Sequence, residues 1–213
     1  MTFALPRLYP ILDSSMIPAD KRAAWLDRLG RSLADAGVTL MEYRNKSGTD
    51  AEVVADARIL RGALPVGQVR LILDDRVDVA MASGCDGVHV DGGDLPAADA
   101  RRLMGPEAVV GTSATSDEVL REAMASPVDY ISFGPVFATT TKQTRLAPIG
   151  IEGVRRFREI AGRGVSLVAA AGITLETAPA ILAAGANSVA VAAAIFQTSD
   201  PAGEFLRWHA VIA

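Results

Sequence analysis

Residues 38–44 read Val-Thr-Leu-Met-Glu-Tyr-Arg and directly follow Ala36-Gly37. A short, mainly apolar run behind a glycine is typical of a strand that is entered from the last turn of a helix. Glycine marks the same kind of turn at Gly84 and Gly185, each between a helical pattern and a further apolar run. The sequence therefore repeats one unit, a helix followed by a strand.

The same alternation extends outward from this stretch to both ends of the chain. The predicted strands cover residues 7–12, 38–44, 69–74, 87–90, 108–112, 129–134, 165–171 and 187–191. The predicted helices cover residues 20–36, 50–62, 76–83, 96–104, 116–126, 152–161, 175–184 and 202–211. Strands that alternate with helices form parallel sheets. Eight such units in 213 residues predict an α/β fold, one TIM (β/α)8 barrel of parallel strands, as a single domain over residues 1–213.

Composition narrows the class of ligand and the compartment. The formal net charge of −4 disfavours nucleic acid as a partner and is compatible with a small anionic ligand. A single cysteine, Cys85, excludes an internal disulfide and fits a reducing, cytoplasmic location. The apolar runs are too short to span a membrane, and the first residues lack the pattern of a signal peptide. Alanine-rich helices would allow packing against a second copy of the chain, so a homo-oligomer is compatible with the sequence.

Charged residues at the end of the second strand are the first candidates for function, because active sites of these barrels lie at the C-terminal ends of the strands. Leu40, Glu42, Arg44 and Lys46 occupy alternate positions and so share one face. Charges on an inward face are costly without a partner. They predict an anion site that uses Arg44 and Lys46, or an internal ion pair between Glu42 and Arg44.

Two aspartates follow neighbouring strands. Asp75 comes after the third strand, beside Asp74, and Asp94 comes after the fourth. Adjacent parallel strands lie about 4.8 Å apart, so Asp75 and Asp94 can converge over one end of the barrel. Two carboxylates without a cluster of histidines or cysteines suit Mg²⁺, which also binds substrate phosphates. The alternative is that both aspartates are helix N-caps.

The loop after the sixth strand is rich in groups that bind oxyanions. Residues 134–142 read Gly-Pro-Val-Phe-Ala-Thr-Thr-Thr-Lys, so one loop carries hydroxyls, among them Thr139 and Thr141, directly before the ammonium of Lys142. A solvated loop would explain the threonines but would not require the lysine. The loop is long for its position in a compact barrel, which favours a function.

Small residues end the seventh and eighth strands. Gly172, Ala192 and Ala193 let backbone N–H groups approach a phosphate, and the loops after these strands are the usual phosphate site of the fold. Tight packing of a helix on a strand also requires small residues. A phosphate site and tight packing are compatible interpretations of the same residues. His89, within the fourth strand, is interpreted as a structural histidine.

Much of the chain, from Leu8 to about Phe196, resembles thiamine phosphate synthases. The resemblance rests on the number, order and spacing of short motifs. These motifs are residues 37–46, 74–78, 86–90, 94–96, 111–113, 129–137, 139–142 and 171–174. The family couples an aminopyrimidine methyl diphosphate to a thiazole phosphate and releases diphosphate. The resemblance therefore implies a TIM-barrel transferase with these two phosphorylated substrates.

The resemblance also implies roles for single residues. Arg44 and Lys46 match the motif that grips the diphosphate, and Asp75 and Asp94 match the two magnesium ligands. Ser113 matches a serine that contacts the pyrimidine. Thr139, Thr141 and Lys142 match the family's Thr-x-Thr-Lys loop, and Gly172 matches a glycine near the thiazole phosphate.

Several positions depart from the family's pattern. Glu42 replaces a glutamine and Asp74 replaces an asparagine, and both add negative charge where a diphosphate should bind. Asp74 can serve as a further magnesium ligand. Ala193 replaces a serine beside the thiazole phosphate, while backbone donors remain. These departures keep two alternatives open, a thiazole tautomerase-like isomerase and a non-catalytic phosphate-binding barrel.

Overall fold

The computed structural model describes residues 3–139 and 146–213, and within them eight parallel strands close into one barrel in the order of the sequence. The strands are β1 (Leu8–Asp13), β2 (Leu40–Arg44), β3 (Arg70–Asp74), β4 (Gly87–Val90), β5 (Val109–Ala114), β6 (Tyr130–Phe133), β7 (Leu167–Ala170) and β8 (Ser188–Val191). Closure joins the first strand to the last, with Leu8 beside Val189. The predicted TIM (β/α)8 barrel of parallel strands is confirmed.

Helices surround this barrel. They are α1 (Arg22–Asp35), α2 (Asp50–Ala63), α3 (Val77–Ser83), α4 (Ala97–Met104), α5 (Asp117–Met124), α6 (Gly150–Ala161), α7 (Ala178–Ala183), α8 (Ala193–Phe196) and α9 (Pro201–Ile212). Every predicted helix is present, with ends shifted by a few residues at most. Sequence analysis missed two short elements, the 3-10 turn Ser14–Met16 and α8, because neither has room for a hydrophobic period.

Local sequence explains where several helices begin and end. Thr49 and Glu52 form a reciprocal capping box at the start of α2. The Ser116 side chain caps α5 by accepting the N–H of Val119. Gly84 ends α3 in the left-handed conformation, at a φ of 71°, that the glycine turn predicts.

Alternation along β2 divides the molecule into two cores. Met41 and Tyr43 point outward into a layer of apolar side chains between the sheet and the helices. Leu40 points inward, where it packs with Tyr9, Ile72 and other side chains in the middle of the barrel. Glu42 and Arg44 continue this inward face toward the C-terminal end. The predicted alternation thus places both charged residues inside the barrel.

The N-terminal ends of the strands carry a repeated contact that we call the arginine tie. An arginine in the last turn of α2, α4 or α6 binds an Asp or Asn that directly precedes β4, β6 or β8. The same Asp or Asn oxygen accepts a backbone N–H from the neighbouring strand. The three ties are Arg61–Asp86, Arg101–Asp129 and Arg158–Asn187. They fix helices to strands at the end of the barrel opposite to the predicted site.

The longest helices of the described chain, α1 and α2, have 14 residues. Within residues 3–139 and 146–213, none of the helices combines the length and the apolar character needed to cross a membrane.

Candidate active site

A cavity of about 490 Å³ opens at the C-terminal ends of the strands. Each of the eight strands, or the loop behind it, contributes to its wall. The polar lining side chains are Tyr9, Asp13, Glu42, Arg44, Asp74, His89, Asp91, Ser113, Tyr130, Ser132, Thr139 and Thr174. The volume is that of a typical pocket for a small molecule, and its position is that of active sites in this fold.

Arg44 projects from the end of β2 into the mouth of the cavity. Its guanidinium binds the carboxylate of Asp13 at the end of β1 and lies 3.5 Å from that of Asp74 at the end of β3. Burial alone would raise the pKa of Asp13, but hydrogen bonds from Ser15 and the charge of Arg44 lower it. Arg44 therefore pairs with two aspartates on the flanking strands, and the alternative pairing partner Glu42 lies deeper in the barrel.

Lys46 approaches the same group from outside. Its Nζ lies 2.8 Å from Oδ2 of Asp74 and 2.6 Å from Oδ1 of Asp75. Burial raises the pKa of Asp74 although the positive charges of His89 and Lys46 act against that rise. The pKa of Lys46 is also raised, since its contacts with Asp74 and Asp75 outweigh a partial burial that would lower it. Arg44 and Lys46 thus converge on one rim of the cavity.

Asp75 and Asp94 meet beside Lys46. Their carboxyl groups lie close enough for the charge of one to act on the other, and Oδ2 of Asp94 accepts the backbone N–H of Asp91 at 2.7 Å. Partial burial and the charge of Asp75 raise the pKa of Asp94. The residues at the N-cap positions of α3 and α4 are Arg76 and Pro96, so neither Asp75 nor Asp94 is a helix N-cap.

The backbone at Asp75 has a φ of 66°, which is unusual for a residue other than glycine. Its N–H donates to the carbonyl of His89 on the neighbouring strand, at 2.8 Å. This bond fixes the turn after β3, and the carboxylate of Asp75 consequently faces Lys46 and Asp94. Strained backbone of this kind is common where side chains are positioned for function.

The oxygen ligands present fit a divalent cation of the magnesium type. Asp75 and Asp94 supply carboxylate oxygens from adjacent loops, which is the ligand chemistry that Mg²⁺ prefers. In the part of the chain that the structure describes, no group of three or more His, Cys, Asp or Glu side chains forms a closed metal site. A two-carboxylate site suits a cation that completes its coordination with water and substrate phosphate.

A chain of buried hydrogen bonds crosses the floor of the cavity. The Tyr9 hydroxyl lies 2.9 Å from Oε2 of Glu42 and 2.8 Å from the Tyr130 hydroxyl. Tyr130 lies in turn 3.0 Å from Nδ1 of His89, whose Nε2 lies 2.9 Å from the Ser113 hydroxyl. The floor thus offers polar groups in a fixed arrangement, surrounded by apolar side chains of the inner core.

Within this floor, the charges of Glu42 and His89 each shift the pKa of the other residue. Burial raises the pKa of Glu42 to about 7, opposed by the charge of His89. Burial acts the other way on His89, yet its hydrogen bond with Asp91 and the charges of Glu42, Asp91 and Asp74 raise the pKa of His89 to about 9. Groups whose ionisation lies close to neutral pH are typical of functional sites.

The interpretation of His89 as a purely structural residue is incomplete, because its ring lines the cavity and hydrogen bonds to Ser113. A usable signal was present in the sequence. Val88 and Val90 face the outer core, so His89 between them must point into the barrel. Sequence analysis also missed Tyr9 and Tyr130 as cavity-lining residues, because each lies within an apolar strand.

The opposite wall of the cavity is built from small residues. Gly172, Ala192 and Ala193 all line it, as the sequence predicts. Gly172 has a φ of 69°, and a β-carbon there would lie 2.5 Å from the carbonyl oxygen of Ala138. Glycine is therefore required at this position, where the loops after β6 and β7 cross. Backbone atoms of both loops can consequently approach a ligand closely.

The loop after β6 contributes Thr139 and Ala138 to the same wall. The remaining residues that the sequence predicts for this loop, Thr141 and Lys142, lie outside the described residues.

The fold and this site define a (β/α)8 barrel with a charged, polar cavity at the C-terminal ends of its strands. Comparison with known proteins identifies it further. The model of the thiamine monophosphate synthase family matches residues 8–195. The chain belongs to the thiamine monophosphate synthase family.

Curated relatives support the assignment over nearly the whole chain. A thiamine-phosphate synthase of Koribacter versatilis is 42% identical over 206 residues, which cover 95% of both chains. A thiamine-phosphate synthase of Agrobacterium fabrum is 39% identical over 197 residues, which cover 91% of this chain and 88% of that one.

Solved structures show the same likeness. Thiamine phosphate pyrophosphorylase from Pyrococcus furiosus superposes with a TM-score of 0.81 at 28% identity, covering 97% of this chain and 95% of that chain. A 3-hexulose-6-phosphate synthase superposes with a TM-score of 0.66 at 20% identity and shares the fold.

Proposed function

We propose that this enzyme couples an aminopyrimidine methyl diphosphate to a thiazole phosphate, giving thiamine phosphate and releasing diphosphate. The observation that carries the proposal is the meeting of Arg44 and Lys46 with Asp74, Asp75 and Asp94 at the cavity mouth. The family assignment supplies the chemistry for which such a cluster is needed.

The diphosphate would bind at the rim formed by Arg44 and Lys46. Both side chains carry hydrogen-bond donors that are directed to acidic oxygens in the structure. A guanidinium and an ammonium give charge-assisted hydrogen bonds to phosphate oxygens, which are stronger than neutral ones. Their approach from the end of one strand lets both contact the same diphosphate.

Carboxyl groups surround these two cations, and Asp74 adds a carboxyl group where the family's pattern has an asparagine. A diphosphate placed there would be repelled unless a further cation were present. We assign this role to Mg²⁺ held by Asp75 and Asp94. The ion would neutralise charge on the diphosphate oxygens as the bond to the pyrimidine methylene breaks.

The aminopyrimidine would occupy the deep part of the cavity. Ser113 is held there by His89 at 2.9 Å, and Glu42 is held by Tyr9. Apolar side chains such as Ile11 and Val168 line the same region and would cover the ring faces. Fixed polar groups in an apolar pocket give orientation as well as affinity.

The thiazole phosphate would bind at the wall of small residues. Backbone donors near Gly172, Ala192 and Ala193 would contact its phosphate, which explains why Ala193 suffices without a hydroxyl. Thr139 lines this wall, and Thr141 and Lys142 follow it in the sequence. We assign hydroxyl contacts with phosphate oxygens to Thr139 and Thr141, and an ammonium contact with the departing diphosphate to Lys142.

The proposed reaction breaks the bond between the methylene carbon and a diphosphate oxygen, which takes the bonding electrons. The thiazole nitrogen then supplies an electron pair to the carbon. Arg44, Lys46 and Lys142 would stabilise the developing negative charge, in the manner of a preorganised electrostatic site. No protein nucleophile is required, and positioning of the two substrates lowers the barrier further.

The two alternatives from sequence analysis are not favoured. A thiazole isomerase would have no use for the diphosphate site of Arg44 and Lys46 or for paired aspartates. A non-catalytic phosphate-binding barrel disagrees with the curated names of the relatives, which are synthases.

We further propose that residues 1–213 act as one domain, because all strands that carry site residues belong to one closed barrel. A cytoplasmic location is proposed from the buried, unpaired Cys85. A homo-oligomer is not required by the site, since all its proposed residues come from one chain.

The direct test is to incubate the protein with both substrates and to measure diphosphate release and thiamine phosphate, with Mg²⁺ and with a chelator. We expect both products in equal amounts, and only with Mg²⁺. Failure of folded protein to form thiamine phosphate would refute the proposal. Conversion of a thiazole phosphate alone would instead support the isomerase.

A further inference from the structure

Behind β2, on the face turned away from the cavity, lies a polar group of side chains that the reaction does not use. Arg22 begins α1, Asp56 lies in α2, Tyr43 lies in β2, and Asn45 follows that strand directly. We call these four residues the outer network. They connect the first two helices to the segment that carries Arg44 and Lys46.

The inner part of the outer network is an ion pair between the buried Asp56 and the half-buried Arg22, joined by a tyrosine hydroxyl. Arg22 donates to Asp56 from Nε at 3.0 Å and from Nη2 at 2.6 Å. The Tyr43 hydroxyl also donates to Oδ2 of Asp56. Asp56 is only 3% exposed and Tyr43 is fully buried. Such a pair holds its geometry firmly because breaking it would leave a buried charge without a partner.

Asn45 links this pair to the loop after β2. Its side-chain Nδ2 donates to the Tyr43 hydroxyl at 3.0 Å. Its Oδ1 accepts the backbone N–H of Gly48 at 2.8 Å and that of Ser47 at 3.3 Å. One amide therefore fastens the loop to the core and closes a turn within the loop.

The loop is fixed at its far end as well. Thr49 starts α2 through the capping box with Glu52. At Gly48 a β-carbon would lie 2.5 Å from Nδ2 of Asn45, so glycine is needed to admit the amide. Residues 45–48 are thus held on both sides, by Asn45 and by the helix cap.

Asn45 stands between the two cations of the cavity rim. Arg44 precedes it and lies 3.5 Å from Asp74, while Lys46 follows it and lies 2.8 Å from the same carboxylate. Rotation of the backbone at Asn45 would move both cations at once. Long basic side chains bind an anion more tightly when their backbone is already in place, because less conformational entropy is lost.

We propose that the outer network is a positioning device, in which Tyr43 and Asn45 hold Arg44 and Lys46 ready for the diphosphate group. Tyr43 and Asn45 are positioning residues, since they act through the two cations. The proposal rests on the proposed function for the identity of the anion. It adds that affinity for diphosphate depends on hydrogen bonds outside the cavity.

The test uses Tyr43→Phe, Asn45→Ala and the double variant in the full chain. Each keeps Arg22 paired with Asp56, so the buried charge retains its partner. The measurements are kcat, KM for each substrate, the melting temperature, and the Kd of inorganic pyrophosphate by calorimetry in the presence of Mg²⁺. We expect each single variant to raise KM for the diphosphate substrate and Kd for pyrophosphate by about three- to tenfold.

Two further results are expected from the same set. KM for the thiazole phosphate should stay within about twofold, because its proposed site lies on the opposite wall of the cavity. The double variant should weaken pyrophosphate binding little more than Asn45→Ala alone, since both changes remove the same hydrogen bond.

Asp129→Asn is the matched control. Oδ2 of Asp129 accepts a hydrogen bond from Nη2 of Arg101, at 2.6 Å, in an arginine tie at the other end of the barrel. Its replacement should lower the melting temperature and leave the Kd of pyrophosphate unchanged. A general loss of stability is thereby separated from a loss of positioning.

The inference would be overturned if Tyr43→Phe and Asn45→Ala lowered only the melting temperature. Pyrophosphate binding of both variants would then equal that of the unmodified chain. If Tyr43→Phe fails to fold, Asn45→Ala in the exposed loop decides the question. If the unmodified chain neither binds pyrophosphate nor forms thiamine phosphate, the proposed function itself fails, which is a different result.

Discussion

The two ends of the barrel use the same side chains for different purposes. At the N-terminal ends of the strands, each arginine tie gives one arginine one Asp or Asn partner and nearby carbonyl oxygens. At the C-terminal ends, Arg44 is shared between Asp13 and Asp74, and Lys46 between Asp74 and Asp75. An arginine with one Asp or Asn partner stabilises the fold at one end. At the other end, Arg44 and Lys46 are each shared between two carboxylates, so a ligand can replace one of these partners.

The difference is also visible in the ionisable groups. The cavity end holds Glu42 and His89, whose pKa values are raised to about 7 and about 9. Two of the three non-glycine residues with a left-handed backbone among the described residues, Asp75 and Ala171, directly follow strands at this end. The burial that raises the pKa of Glu42 and the strained backbone both cost stability, so their occurrence at this end indicates that it is built for function.

The largest expected effect concerns the cavity end. Asp75→Asn should reduce magnesium-dependent diphosphate release at least about a hundredfold, because it removes the charge of a proposed magnesium ligand beside Lys46. Stability should change little, as measured by urea unfolding. The matched control is Asp78→Asn, whose side chain is 69% exposed and pairs with Arg76. Equal loss in both variants would remove the distinction between site and surface.

The second prediction concerns Glu42→Gln. In the folded chain Glu42 keeps its proton up to about pH 7, whereas in the unfolded chain it loses the proton near its ordinary value of 4.5. The stability of the unmodified chain therefore falls as pH rises from 4.5 to 7. Glu42→Gln removes this loss.

Relative to the unmodified chain, the Glu42→Gln variant should consequently gain about 2 kcal/mol between pH 5 and pH 8. His89 acts in the same direction, since its raised pKa makes its contribution disappear as pH rises from 6.5 to about 9. Urea unfolding at the two pH values measures the difference. A constant difference between the two proteins would show that Glu42 ionises normally.

At the N-terminal end, Asp129→Ala should lower the free energy of unfolding by about 2 kcal/mol, because Arg101 and the N–H of Val110 lose their acceptor. Substrate KM values should not change. Asp129→Asn should cost less, since Asn187 holds the same place in another arginine tie. A change in KM for either substrate would contradict the separation of the two ends.

The smallest effect is expected at Ala171, which directly follows β7. Its φ of 70° is unfavourable for alanine. Ala171→Gly should therefore stabilise the chain by about 0.5 kcal/mol, after the greater freedom of glycine in the unfolded chain is deducted. Denaturant unfolding measures the change, and Ala170→Gly serves as a control that should destabilise. Equal destabilisation by both would mean that position 171 is not strained.

The fold could be predicted almost completely from the sequence. Strands such as β2 and β4 are short apolar runs between glycine turns and amphipathic helices, and this pattern depends only on local burial. The short helix α8 was missed because four residues carry no period. Element ends shifted where caps such as Ser116 act through side-chain contacts.

The site could be predicted in part. Charged residues at strand ends, such as Arg44 and Asp75, are conspicuous because they interrupt apolar sequence. His89 and Tyr9 were missed as site residues because a polar group inside an apolar strand is equally compatible with a satisfied structural role. Their hydrogen bonds join residues far apart in the chain, with Tyr9 and Tyr130 separated by 121 positions, and a single sequence contains no record of such contacts.

The arginine ties also bear on how the chain folds. Their arginine and acceptor are separated by only 25, 28 and 29 positions, and each lies within one continuous stretch of helix and strand. Contacts of short sequence separation cost little loop entropy and form early. Pairing of β1 with β8, by contrast, joins Leu8 to Val189. We therefore expect tied segments to assemble first and the barrel to close last, so that the substrate cavity exists only after the final strand is in place.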